Sequence, residues 1–285
     1  MPNQPLQSLE SWVNFFSKAE MPVLRKTLRQ LEEARSKIDR INGRDIAAIV
    51  LQDPLMSIRV LAYIQPFISK RLHSDITNIG NAIMMQGIEP FFKNIGEPPT
   101  IEAMLKNEPQ ALLGVLQVIR RSQRASRYAH LWAIERYEIN VEEVTLAALL
   151  HDIAEILIWC FSPKQAVTIR ARLLADKTLR SMNVQKEVLG FYLYELKLGL
   201  CSVMHLPELI RVLMDQSNAE LPRVQNVLLA VNLARHSADG WENAALPDDF
   251  TAIQKLLRIS RETLLKRLDI PDDLVARYLV APDED

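Results

Sequence analysis

Thr145-Leu146-Ala147-Ala148-Leu149-Leu150-His151-Asp152-Ile153-Ala154-Glu155-Ile156-Leu157-Ile158-Trp159-Cys160-Phe161 is the most apolar run of the chain, and its reading decides the fold. A helix that crosses a bilayer needs about 20 apolar residues. This run is shorter and carries His151, Asp152 and Glu155 in its middle, where ionisable groups are expensive in lipid. It therefore predicts a buried core helix of an all-α protein, not a membrane anchor. An adjacent imidazole and carboxylate on such a helix need partners, because unpaired polar groups in an apolar interior are strongly unfavourable. One partner is a divalent ion, since ring nitrogen and carboxylate oxygen suit a first-row metal or a Mg²⁺-like ion. His130, on the preceding helix across a short turn, then completes a candidate metal set of His130, His151 and Asp152. The other reading is a buried polar network with no ion, in which His151 hydrogen-bonds inside the helical core.

Outward from this run the pattern stays helical. Glycine is scarce, 8 in 285 residues, which leaves little material for hairpin turns or Gly-rich phosphate loops. Apolar residues recur at helical spacing in Leu9, Trp12, Val13 and Phe16, and again in Leu24, Leu28, Leu31 and Ile38. Asn42-Gly43 makes a turn and Asp45 starts a short helix. Asp53-Pro54 reads as an N-cap carboxylate followed by proline at the first helical position, with Pro66 as the stop. A further helix runs from Thr77 to Gly87. Gly96-Glu97-Pro98-Pro99 is the strongest breaker and marks a subdomain boundary nearby. A long helix follows Pro109 to about Glu138, and Asn140 caps the next one. Ser162-Pro163, Asn183 and Leu206-Pro207 punctuate three more, while Pro222, Asp248 and Pro271 open the C-terminal ones. The acidic end is expected to fray. Neither an alternating strand pattern nor a solenoid repeat is present.

Several collinear segments carry a family resemblance. They are Met21-Pro22-Val23-Leu24, the run from Asp45 to Leu55, the run from Ile76 to Ile83 with Gly87, the string around His151-Asp152, then Gly190-Phe191, Glu195 and Leu206-Pro207. Together they resemble the HDOD domain, the signalling relative of HD and HD-GYP domains within the HD superfamily. The resemblance implies an HD-like helical core after about residue 108, preceded by a helical subdomain from residue 21. Residues 1–20 then form an N-terminal helical extension, the HDOD-like domain covers 21–216, and 217–285 form a C-terminal helical extension. It also implies an ion held by a His, a His-Asp pair and a later Asp in the catalytic members. This chain departs there. Leu193 stands where related domains often have a histidine, Asp215-Gln216 where many have a His-His pair, and Val231 or Asn232 where the closing aspartate is expected. The Gly-Tyr-Pro triplet of the HD-GYP phosphodiesterases is absent.

Hydrolysis of a phosphoester needs the ion fully held and a bound water acidified, so these gaps point to a non-catalytic signal-transduction module. Its output is contact with a signalling protein partner, with a nucleotide-like ligand as a further expectation. The alternative is a diverged metal-dependent phosphohydrolase acting on a nucleotide or cyclic dinucleotide. No cofactor is expected, apart from the divalent metal that the donor set leaves open. Arg120, Arg121, Arg124 and Arg127 form a basic stripe one and two turns apart on the long helix, a candidate surface for an anion or an acidic partner, or simply a solvated face.

A net charge of −1, without a basic domain or interleaved aromatics, argues against nucleic acid or an anionic membrane as partner. The first residues lack a signal-peptide pattern, and Cys160 and Cys201 lie in apolar stretches without metal spacing. Both features fit a soluble cytoplasmic protein with reduced thiols. His205 and His236 lack companions at ligand spacing. Trp12, Phe15 and Phe16 either cap the core or form a docking face for a partner or a homodimer.

Overall fold

A computed structural model describes residues 6, 8–72, 77–176, 178–268 and 270–280. The expectations for the first residues of the chain, for Ile76 and for the acidic end at 282–285 concern residues outside that range. The described fold is all-α. Its one strand-like feature among the described residues is a parallel bridge between Val23 and Thr100.

The N-terminal half comprises α1 (Leu9–Phe16), α2 (Arg25–Arg35), α3 (Gly43–Val50), α4 (Pro54–Leu72), α5 (Ile79–Gln86), α6 (Ile88–Ile95) and the single turn α7 (Ile101–Met104). Local chemistry explains their starts. Asn42 accepts from the Arg44 and Asp45 backbone N–H groups while Asp45 reciprocates, a capping box that starts α3. Asp53 accepts from the Leu55 and Met56 N–H groups at 3.0 and 3.2 Å and also from Leu24 N–H at 2.8 Å. One buried carboxylate thus opens α4 and fixes the segment entering α2. Asn78 caps α5, and Gly87, at φ 91°, ends it in a conformation that glycine adopts without strain. Pro66 does not stop the helix as the sequence predicts, because α4 continues to Leu72. The buried face of Leu55, Ile58, Leu61 and Ile64 anchors the turns before it, and a proline removes only one donor from the ladder.

The C-terminal half comprises α8 (Pro109–Glu135), α9 (Val141–Leu150), α10 (Ile153–Phe161), α11 (Pro163–Ala175), α12 (Ser181–Leu189), α13 (Leu193–Val203), α14 (Glu208–Met214), α15 (Pro222–His236), α16 (Leu246–Leu257), α17 (Arg261–Arg267) and α18 (Asp272–Val280). Prolines occupy the first turn of α8, α11, α15 and α16, where the missing N–H has no partner to lose. Asn183 lies inside α12 and does not punctuate it.

The apolar run that opened the sequence analysis is two helices, α9 and α10, broken at His151-Asp152. From Val141 to Phe161 it is long and apolar enough to cross a membrane, but 83% of its apolar window is buried inside the protein. It is the centre of the core.

α8 packs along α9, α10 and α15, and α9 packs on α14 and α15. The residues after Gln216 divide accordingly. α15 belongs to this central packing, with Val227, Ala230 and Ala234 fully buried, whereas α16, α17 and α18 follow one another on its outer side. Glu143 on α9 accepts from Arg223 on α15 at 2.7 Å and from Thr77 at 2.8 Å, which ties both halves together. α1 docks on α13. Trp12 and Phe16 are buried there, with Phe15 and Phe161 edge-on against them, so the aromatic face of the first helix is occupied by the core of its own chain.

Candidate functional site

The break between α9 and α10 turns His151 and Asp152 toward α8, α13 and α15, and each of those helices answers with a cation. Arg121 of α8 donates to Asp152 Oδ2 through Nε at 2.9 Å and Nη2 at 2.6 Å, and through Nη2 to Glu155 at 2.8 Å. Arg235, in the last turn of α15, donates to Asp152 Oδ1 at 3.1 Å. Lys197 of α13 donates from Nζ to His151 Nε2 at 3.0 Å and to the Met214 carbonyl at 2.6 Å. His151 Nδ1 lies 3.2 Å from Asp152 Oδ1. With Lys197 donating to Nε2, the ring carries its proton on Nδ1 and gives it to Asp152.

The electrostatics follow from this geometry. Burial alone would raise the Asp152 carboxyl pKa, but Arg121 and then Arg235 outweigh it and hold the group well below the usual carboxylate range. Burial, then the Lys197 charge, push His151 down to about 4, so the ring is neutral at pH 7. Burial also lowers Lys197 to about 8, against the pull of Asp152. Burial works against the Arg121 charge, yet Asp152 and Glu155 raise its pKa overall. Because the Lys197 charge adds to the effect of burial, Lys197→Met is expected to move the His151 pKa upward, part of the way toward 6.5, read from its ring resonances in an NMR titration. An unmoved His151 would contradict the contact.

This cluster forms the floor of an open cleft of about 1420 Å³ between α8, α11, α12, α13 and the end of α15. All four arginines of the predicted stripe line it, but they differ in role. Arg121 is the half-buried clasp on Asp152, and Arg124 donates to the Ala234 carbonyl at 2.7 Å. Arg120 and Arg127 are exposed. His130 is not brought to the cluster. It is exposed and pairs with Thr145 Oγ1 at 3.2 Å, about 9 Å of helix rise before His151.

The HDOD domain family model matches residues 21–219. The chain belongs to the HDOD domain family. Two solved structures share the fold of this HDOD chain at low identity. One is the MmoQ response regulator of Methylococcus capsulatus, 14% identical over 93% of this chain and 99% of that one, at a TM-score of 0.62. The other is a virulence factor of Campylobacter jejuni, 16% identical over 96% and 98%, at 0.67. An HDOD domain protein of unknown function from Geobacter sulfurreducens is 20% identical over 97% of both chains, at 0.49. No curated protein matches the chain significantly.

A divalent ion, as held by the catalytic relatives of HDOD domains, does not fit the residues present. Both Asp152 oxygens accept from guanidinium groups, and both His151 nitrogens are engaged. A dication here would have to displace or approach three protein cations. Among the described residues no group of three His, Cys, Asp or Glu side chains is arranged to hold one. What the arrangement does is join four helices by ionic hydrogen bonds, which are about twice as strong as neutral ones.

Lys197 and Arg235 went unnoticed in the sequence. The signal for Lys197 is a lone lysine amid Leu196, Leu200 and Cys201, a cation on an otherwise apolar helix face. Arg235 lies one turn beyond Val231, where the closing carboxylate was sought, and carries the opposite charge.

Proposed function

We propose that this HDOD chain is a non-catalytic regulatory module in signalling that acts through contact with a protein partner. The observation that carries this reading is the charge inversion at the His-Asp pair. Arg121, Lys197 and Arg235 supply the positive charge that an ion supplies in the hydrolytic relatives, and no bound water is thereby acidified. A scaffold that keeps the pair but ties it to protein cations retains its shape without a nucleophile. A response regulator with the same fold supports a signalling context. The two buried, unpaired cysteines support a reducing compartment, and we place the protein in the cytoplasm.

The test is hydrolysis of a generic phosphodiester by the purified chain with added Mn²⁺ or Ni²⁺, together with elemental analysis. The expected result is a rate no greater than that of a His151→Ala, Asp152→Ala control and no stoichiometric metal. Tightly bound metal with a rate lost in that control would replace this reading with a diverged phosphohydrolase.

A further inference from the structure

The cleft above the ion-pair cluster has two unlike walls. Along α8, Arg120, Arg124 and Arg127 follow at four- and three-residue spacing, about 6 and 4.5 Å of rise apart, and so line one side of the groove. Arg170 of α11 adds a further cation. Among the described residues, Arg120, Arg127 and Arg170 make no ion pair or side-chain hydrogen bond. Two of the carboxylates lining the cleft, Asp152 and Glu155, are already held by Arg121. The other acidic lining residues, Asp239 and Glu242, come from the segment after α15, and Glu242 is within ion-pair reach of Arg277.

Apart from Arg170 and the polar Ser181 and Gln185, the α11–α12 side presents uncovered apolar side chains. Leu174, Leu179 and Met182 line the cleft while 66%, 37% and 45% exposed, and the buried Trp159 ring lies at its base. Single exposed apolar side chains are ordinary, but these three border one groove together.

Size and spacing choose the occupant. A volume of about 1420 Å³ exceeds the roughly 300–1000 Å³ of small-molecule sites. A helix of about three turns, some 15 Å long and 10 Å across, occupies on the order of 1200 Å³. A phosphate or nucleotide wants donors that converge on a point. Here the arginines without partners are strung along the groove, and the convergent ones at its floor are already engaged. Carboxylates at i, i+4 and i+7 of a helix repeat the spacing of Arg120, Arg124 and Arg127 themselves.

We propose that this cleft is the docking site for an acidic amphipathic α-helix of a partner protein. Its glutamates and aspartates meet the α8 arginines, and its apolar stripe meets Leu174, Leu179 and Met182. This names the partner class for the regulatory role proposed above and rests on that reading. The binding mode is helix in groove, with affinity from the apolar face and orientation from the charges.

The probe is a fluorescent peptide of about 16 residues with leucines on one helical face and glutamates at i, i+4 and i+7 on the other, titrated with the full chain by anisotropy. The expected results are saturable binding that weakens as salt rises from roughly 50 to 300 mM, and at least about tenfold weaker binding of a scrambled peptide of equal composition. Arg120→Glu with Arg127→Glu is expected to weaken binding by about tenfold or more, and so, separately, is Met182→Asp on the apolar wall. All three positions are exposed, so the variants should fold. Lys26→Glu with Arg29→Glu, at exposed positions of α2, changes the net charge as the double variant does and should bind as the parent does. Equal binding of the scrambled peptide, or unchanged binding by the double variant, would overturn the proposal. Displacement of the peptide by micromolar nucleotide would overturn it in favour of a small-molecule site. Because hydrolysis and metal uptake are measured apart from peptide binding, failure here leaves the non-catalytic reading standing.

Discussion

Asp152→Ala is expected to destabilise the fold by about 3–5 kcal/mol, the usual consequence of removing one partner from a buried ionic network. Asp152 is nearly inaccessible and accepts from Arg121, Arg235 and the His151 ring, so its loss strands Arg121 with Glu155 alone in the interior. In a chain of this size each kcal/mol moves the melting temperature by about 2–4 °C, so the midpoint should fall by roughly 10 °C. Asp152→Asn keeps the shape and loses the charge, and should fall between the two. A melting temperature within experimental error of the parent would show that the cluster does not hold the helices together.

The same cluster predicts an acid response. The folded His151 pKa is about 4, below the ordinary 6.5, so the unfolded chain takes up this proton first. Stability is then complete above about pH 6.5 and declines as pH falls toward 4, by on the order of 3 kcal/mol. Asp152, depressed below its ordinary value, adds a further loss as pH falls below about 4. His151→Gln should flatten the upper part of this slope and leave the lower part.

Trp12→Ala is expected to cost about 3–5 kcal/mol, as large-to-small changes of buried aromatics do. Trp12 is 1% exposed and stacks on Phe16 at 5.3 Å between ring centroids, in a group that includes Phe15 and Phe161 of α10. Its indole N–H is buried without a hydrogen-bond partner. Trp12→Phe, which removes that donor and keeps most of the ring, should therefore cost under about 1.5 kcal/mol. Chemical denaturation of both variants measures the difference. If Trp12→Ala were neutral and abolished self-association instead, the aromatic face would be a partner surface and not part of the core.

The contrast between these residues shows how far the sequence reached. Asp53-Pro54, Gly87 and the prolines of α8, α11 and α15 were legible because caps and first turns are set within about four residues of chain. The buried polar pair was legible because an ionisable dipeptide in an apolar run must have partners. Pro66 misled, since a local breaker signal was overridden by the packing of the turns before it. His130 matched a motif position in sequence, yet it faces Thr145.

Composition and periodicity by themselves determined an all-helical chain with His151 and Asp152 at its centre, because burial of a helical stripe is written in nearest neighbours. Which groups neutralise that pair was decided only by tertiary structure. Arg121, Lys197 and Arg235 lie 31, 46 and 83 residues from their partners. Charge attraction at about 3 Å depends on how α8, α13 and α15 cross, and no spacing along the chain encodes that crossing.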